Sequence, residues 1–168
     1  GMTDTAERRE SVSFSTPYYA SDLVLIVRND STYANASALV DFTGASVVAQ
    51  KGTFHDTVVD QIPSVIHGTP LGSFALLTNS VVNQEFDAMV SEYPVALSIV
   101  ASNPDLKIIS FAEGNGFATS FEDTTVSVAV AKESVELLET ISEVLANISE
   151  DTRAEWMKDA IQRQPEGE

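Results

Sequence analysis

Gly52 and Thr53 stand where a backbone can hold an anion. They lie within residues 46–61, SVVAQKGTFHDTVVDQ. Val47, Val48 and Ala49 suit a buried strand, and Gly52 suits a tight turn with no Cβ in the way. Thr53 can cap a short helix over residues 54–61. A strand that enters a helix through Gly-Thr leaves free backbone N–H groups at the positive end of the helix dipole, and those groups attract a carboxylate or phosphate. The same letters also serve as plain punctuation before a helix. The spacing GxxxxGK[ST] is absent, so this is not a nucleotide loop.

Other residues able to do chemistry are few. Arg8 and Arg9 read, from the sequence alone, as a solvated pair on a short helix. Glu92 reads as an acid favoured at a helix N-terminus, just before Pro94. Asp87 falls inside a strand pattern and reads as structural. His55 follows the anion turn, while His67 falls in a turn of its own; the two are far apart, with no cysteine and no H-x-x-x-H spacing, so no metal site is expected. No Ser-His-Asp set, Cys-His pair or pair of catalytic carboxylates stands out, and neither catalysis nor a cofactor is expected.

The elements that must position these residues follow from the patterning. Thr5 caps a short turn over TAERRE, and Val12 and Phe14 alternate with serines up to Pro17. Leu23 to Val27 (LVLIV) is a continuous apolar run, typical of a strand covered on both faces. Asn35 is read as the cap of a short helix ended by Gly44. After the anion turn come a strand over 64–66, a helix begun by Gly72-Ser73, a strand over FDAMV, and a helix opened by Pro94. A strand at 106–109 and a Gly-containing loop with three phenylalanines at 111–124 lead to an alternating strand at 125–130. The loop reads as a lid or a surface insertion. Two helices close the chain: the first carries a stripe of Val135, Leu138, Ile141 and Leu145, while Ser149 caps the second, whose buried face is Trp156, Ala160 and Ile161. The tail QPEGE reads as frayed. Strands alternating with helices predict an α/β fold with a largely parallel sheet.

Bulk properties narrow the partners. The chain has 168 residues, 43% hydrophobic, enough for one domain or two small lobes. Nine Lys and Arg against 25 Asp and Glu give a net charge of −16, which argues against nucleic acid or an anionic membrane as partner. No apolar run is long enough to span a bilayer. No signal sequence is visible, and Gly1-Met2 reads as a tag remnant or as native.

Four segments, MTDTAERRESVSFSTPYY (2–19), VVAQKGT (47–53), FDAMVSEYP (86–94) and VSVAVAKESVELLETI (126–141), occur in an order that resembles the family 3 extracellular solute-binding proteins. These are the amino-acid receptors of ABC importers, with a type II periplasmic-binding-protein fold of two lobes joined by two crossing segments. The Thr-x-x-x-x-Arg…Phe-Ser-x-Pro-Tyr-Tyr pattern is the most specific match. The resemblance implies an N-terminally truncated member with lobe 2 complete at 24–123. Residues 1–23 would hold part of lobe 1 and the first crossing, and 124–168 the second crossing and the C-terminal lobe-1 helices.

Carried over residue by residue, the resemblance implies that Arg8 grips the α-carboxylate of an amino acid through its guanidinium fork. Thr3, five residues before Arg8, also contacts the ligand's main-chain groups, and Gly52 and Thr53 close onto the same carboxylate. Glu92 pairs with the α-ammonium, where relatives more often carry Asp. Phe54 and His55 are candidate contacts for the ligand's side chain. An ABC permease would be the partner of a full-length, periplasmic or membrane-anchored extracellular protein, and this chain alone is expected to form a homo-oligomer. Two alternatives on the same fold are a sensory input domain and a dehydratase of the cyclohexadienyl type.

Overall fold

A computed structural model describes residues 2–163. In chain order the elements are α1 (Ala6–Arg9), β1 (Val12–Phe14), β2 (Tyr19–Ala20), β3 (Leu23–Arg28), β4 (Ser46–Val48), α2 (Phe54–Val58), β5 (Ile66–His67), α3 (Phe74–Val82), β6 (Ala88–Glu92), α4 (Tyr93–Ser102), β7 (Leu106–Ile109), α5 (Phe121–Thr124), β8 (Thr125–Val126), β9 (Ala129–Ala131), α6 (Val135–Ala146) and α7 (Glu150–Gln162). The chain divides into two compact units: residues 2–21 with 119–163, and Asp22–Ala118.

The Asp22–Ala118 unit is built on a five-stranded sheet of order β5-β4-β6-β3-β7. Pairing is parallel between β4 and its neighbours β5 and β6, and antiparallel between β3 and its neighbours β6 and β7. Four of the five strands thus run one way, as the sequence predicts, and β3 alone runs against them, between β6 and β7, a direction that an apolar run does not encode. Its covering on both faces is as the sequence predicts. Leu23, Leu25 and Val27 join one core layer with Phe42, Val47, Val59 and Ile62, whereas Val24 and Ile26 join another with Leu77, Val81 and Met89. Each fully buried side chain of this size contributes about 1.5–3 kcal/mol.

Caps set the helix starts. The Ser73 hydroxyl accepts from the Leu76 N–H, and Leu77 and Val81 of α3 are fully buried. The helix expected from Asn35 is instead a single 3-10 turn, Leu39–Phe42. The Asp41 carboxylate accepts the N–H groups of Ser37 and Ala38 and so fixes the later start, and these bonds hold its pKa below the ordinary value. The 111–124 segment is tied down: the Ala118 N–H donates to Gln61 Oε1, Gln61 Nε2–H donates to the Ala118 carbonyl, and Phe111 and Phe117 pack toward Phe42. It ends in the short helix α5, started by Ser120 and Asp123, so it is neither a free lid nor all loop.

The other unit has two short antiparallel ladders, β1 with β9 and β2 with β8. The single strand expected over 125–130 is broken at Ser127 and Val128, where Met2 and Ser15 take the backbone hydrogen bonds. Thr5 caps α1, and the Ser149 hydroxyl caps α7 by accepting from Thr152 N–H. Arg153 of α7 donates to the carbonyls of Tyr18 and Leu145. The apolar stripe of α6 is only partly covered: Leu138, Ile141 and Leu145 are half-buried and Val135 is exposed. Among the described residues of α7, the buried face expected at Trp156 and Ala160 is not formed. Trp156 is 57% exposed and Ala160 is exposed, while the side chain of Ile161 and the tail at 164–168 lie outside the described residues.

Candidate functional site

Strand β4 runs into the Gly52 turn, whose φ of +75° is the left-handed region that glycine adopts without strain. A Cβ there would meet nothing within 4 Å, so conformation and not space calls for glycine. The turn is fastened by Lys51 N–H to Leu71 O at 2.8 Å. Thr53 holds the N-cap position of α2, but its hydroxyl does not cap the helix. It donates to Gln50 O at 2.9 Å, within the turn itself. What Thr53 offers an anion is therefore chiefly backbone, along with the first N–H groups of α2, which lack helical acceptors.

Glu92 ends β6, next to β4, and occupies the N-cap position of α4. Its side chain makes no capping hydrogen bond and is 30% exposed, so capping does not occupy the carboxylate. The turn after β4 and Glu92 thus lie at the C-terminal ends of adjacent parallel strands, paired through Val48 and Met89. Open α/β sheets bind their ligands at that edge.

His55 is 4% exposed, and its Nε2 lies 3.4 Å from Glu92 Oε1. The pair is within ion-pair range without the alignment of a hydrogen bond, and among the described residues neither ring nitrogen has a hydrogen-bond partner. The ring meets Phe54 edge-on at 4.7 Å and stands 6.5 Å from Phe74. Sequence reading placed both residues near the site and missed their meeting. Glu92 ends β6 and His55 follows the end of β4, and the pairing of those two strands brings them together.

His67 lies on β5 rather than in a turn. Its Nδ1 stands 2.8 Å from Asp60 Oδ1 and its Nε2 2.9 Å from Asp56 Oδ1. Among the described residues no group of three or more His, Cys, Asp or Glu is arranged to hold a metal, and no helix is long and apolar enough to cross a membrane.

In the other unit, Arg8 and Arg9 are not an equivalent solvated pair. Arg9 forms a fork onto Asp4, at 2.6 and 2.9 Å, and this partner raises its pKa above the ordinary value. Arg8 Nη1 donates to the backbone carbonyl of Thr3 at 2.9 Å, and Arg8 is exposed. The structure thus brings Thr3 and Arg8 together and leaves the Arg8 guanidinium with donors to spare.

Residues 1–161 match the family described as bacterial extracellular solute-binding proteins, family 3. The chain belongs to that family. A family 3 relative, ABC transporter arginine-binding protein 1 of Escherichia coli strain K12, is 29% identical over 152 residues, covering 90% of this chain and 59% of the relative. The chain thus spans about 59% of that protein's length. Among solved structures, the substrate-binding protein of an amino acid ABC transporter superposes with a TM-score of 0.74 at 32% identity, covering 98% of this chain and 69% of the other. A Streptococcus pneumoniae amino acid ABC transporter substrate-binding protein bound to L-arginine gives 0.74 at 28% identity, covering 96% and 66%. The fold is that of the type II periplasmic binding proteins.

Proposed function

We propose that this family 3 chain captures an amino acid outside the cytoplasm for delivery to an ABC importer, without catalysis. The observation that carries the reading is the placement of an anion-binding turn and an uncapped carboxylate, Glu92, at the C-terminal ends of two adjacent parallel strands. In the Asp22–Ala118 unit the ligand's carboxylate takes the N–H groups that follow Gly52; in the other unit Arg8 and Thr3 are the candidate contacts for the ligand's main-chain groups. Its ammonium takes Glu92, and Phe54 and His55 border its side chain. Residues 24–123 act as one lobe, and 1–23 with 124–168 supply the crossings and the rest. The arginine-binding relatives make a cationic amino acid the first ligand to try.

Each charge-assisted bond contributes about 1.5–3 kcal/mol. Micromolar binding amounts to only about −8 kcal/mol in total, so losing a few of these bonds moves affinity by orders of magnitude. The 168-residue chain is expected to bind at roughly millimolar concentration. The test is an NMR titration against common amino acids, with L-arginine first. Glu92→Gln keeps the size and loses the charge, and should weaken binding by about tenfold, or 1.4 kcal/mol. Equal binding by Glu92→Gln and wild type would sink the assignment of the amine site.

A further inference from the structure

We infer that His55 is a positioning residue for the amine-binding carboxylate: its Nε2–H holds one oxygen of Glu92 so that the other faces the ligand's ammonium. The inference rests on the reading of Glu92 given above.

A buried imidazole normally has hydrogen-bond partners. His55 is 4% exposed, and among the described residues both of its ring nitrogens are unpartnered. A buried polar atom left in that state carries an unrepaid desolvation cost, so the site is incomplete without something to satisfy it. Glu92 Oε1 is in place to do so, at 3.4 Å from Nε2. That distance is long for a finished bond, and bonds of this kind tighten when the site fills. The buried ring packs edge-on against Phe54 at 4.7 Å and stands 6.5 Å from Phe74, so it has little room to turn away. Glu92 is different in kind. It is partly exposed and uncapped, on a side chain with several rotatable bonds. Left alone, it would sample many directions. A rigid N–H on one oxygen removes that freedom and aims the other. The backbone makes the meeting reliable, because the parallel pairing of Val47 with Ala88 and Val48 with Met89 fixes where the two strand ends lie.

The effect should appear in recognition of the amine and not in binding generally. The experiment compares L-arginine with 5-guanidinopentanoate, which keeps the carboxylate and guanidinium but has no α-amine. Both are titrated into the 168-residue chain by NMR. Wild type should favour arginine by about tenfold. His55→Phe, which keeps a ring and removes the donor, should reduce that preference to roughly twofold, weakening arginine several-fold more than the deaminated probe. His55→Gln, whose terminal amide reaches about as far as Nε2, should restore most of the preference. A folded His55→Phe with wild-type preference overturns the inference, as does equal weakening of both probes or failure of His55→Gln to recover. Glu92→Gln separates the two claims. If it abolishes the preference while His55→Phe does not, positioning alone is wrong. If it leaves the preference intact, or if wild type shows no saturable response to arginine, the amine-site reading fails and this inference falls with it.

Discussion

Asp87 and Ser46 bind each other from both sides. The Asp87 carboxylate accepts the Ser46 N–H and hydroxyl, both at 2.8 Å, and the Asp87 N–H is directed at the Ser46 carbonyl and hydroxyl oxygens at 2.9 and 3.0 Å. The contact joins the start of β4 to the entry of β6. It therefore sets the register that carries the anion turn and Glu92 to the same edge. Asp87→Ala should lower unfolding free energy by about 1.5–3 kcal/mol in urea, since it strips a charged acceptor from a part-buried N–H. A loss below about 0.5 kcal/mol would show that the contact sets nothing.

His67 should make stability depend on pH. Partial burial disfavours its charged form, but the hydrogen bonds and charges of Asp56 and Asp60 outweigh this, and its pKa stands above the ordinary 6.5. The folded chain then holds this proton more tightly than the unfolded chain. The stabilisation is full below about pH 6.5 and is lost as pH rises through the higher folded value. The stability of wild type minus that of His67→Gln should therefore fall as pH is raised from about 6.5 through the higher folded value. A difference that stays level across that range would be the contrary result.

The two neighbouring arginines should separate cleanly. Arg9 is committed to Asp4, whereas Arg8 has donors to spare. Arg8→Ala should abolish detectable arginine binding, and Arg8→Lys should recover only part of it, because a point charge lacks the guanidinium fork. Arg9→Ala should change binding by less than about twofold. Equal effects at both positions in the same titration would reverse the roles given to them.

Helix α6 should drive association between copies. No residue of it is buried, and Leu137 and Val144, which share a face, are each more than half exposed. Such a face seeks cover. Sedimentation at concentrations on the order of tens of micromolar should show species heavier than 18.0 kDa, and Leu137→Lys with Val144→Lys should return the chain to monomer. A wild-type monomer that binds no hydrophobic dye would contradict this.

Where the sequence was informative, the reason was local. Gly52 is readable because few residues adopt a positive φ, and Glu92 because a strand pattern ends on it before Pro94. The LVLIV run is readable because burial on both faces abolishes alternation. The errors came from competition between partners. The Thr53 hydroxyl prefers the Gln50 carbonyl to the helix, and Asp41 outbids Asn35 for the start of a turn. Trp156 suggested a core that the described residues of α7 do not make. The meeting of His55 with Glu92 belongs to neither segment, and it exists only once β4 and β6 are laid side by side.

The placement of β3 between β6 and β7 has a consequence for how the unit is made. Leu23 lies opposite Glu92, and Leu25 opposite Ile109, so the strand's partners are the sheet elements that come late in the unit. On a ribosome the most apolar segment of the sheet emerges first and finds its neighbours last. Until then its edges and both faces are open, and LVLIV is a sticky, uncharged template for other chains. Such long-range pairing slows folding. A holdase that shields Leu23 to Val27 during synthesis would therefore raise yield more than any improvement to the finished core.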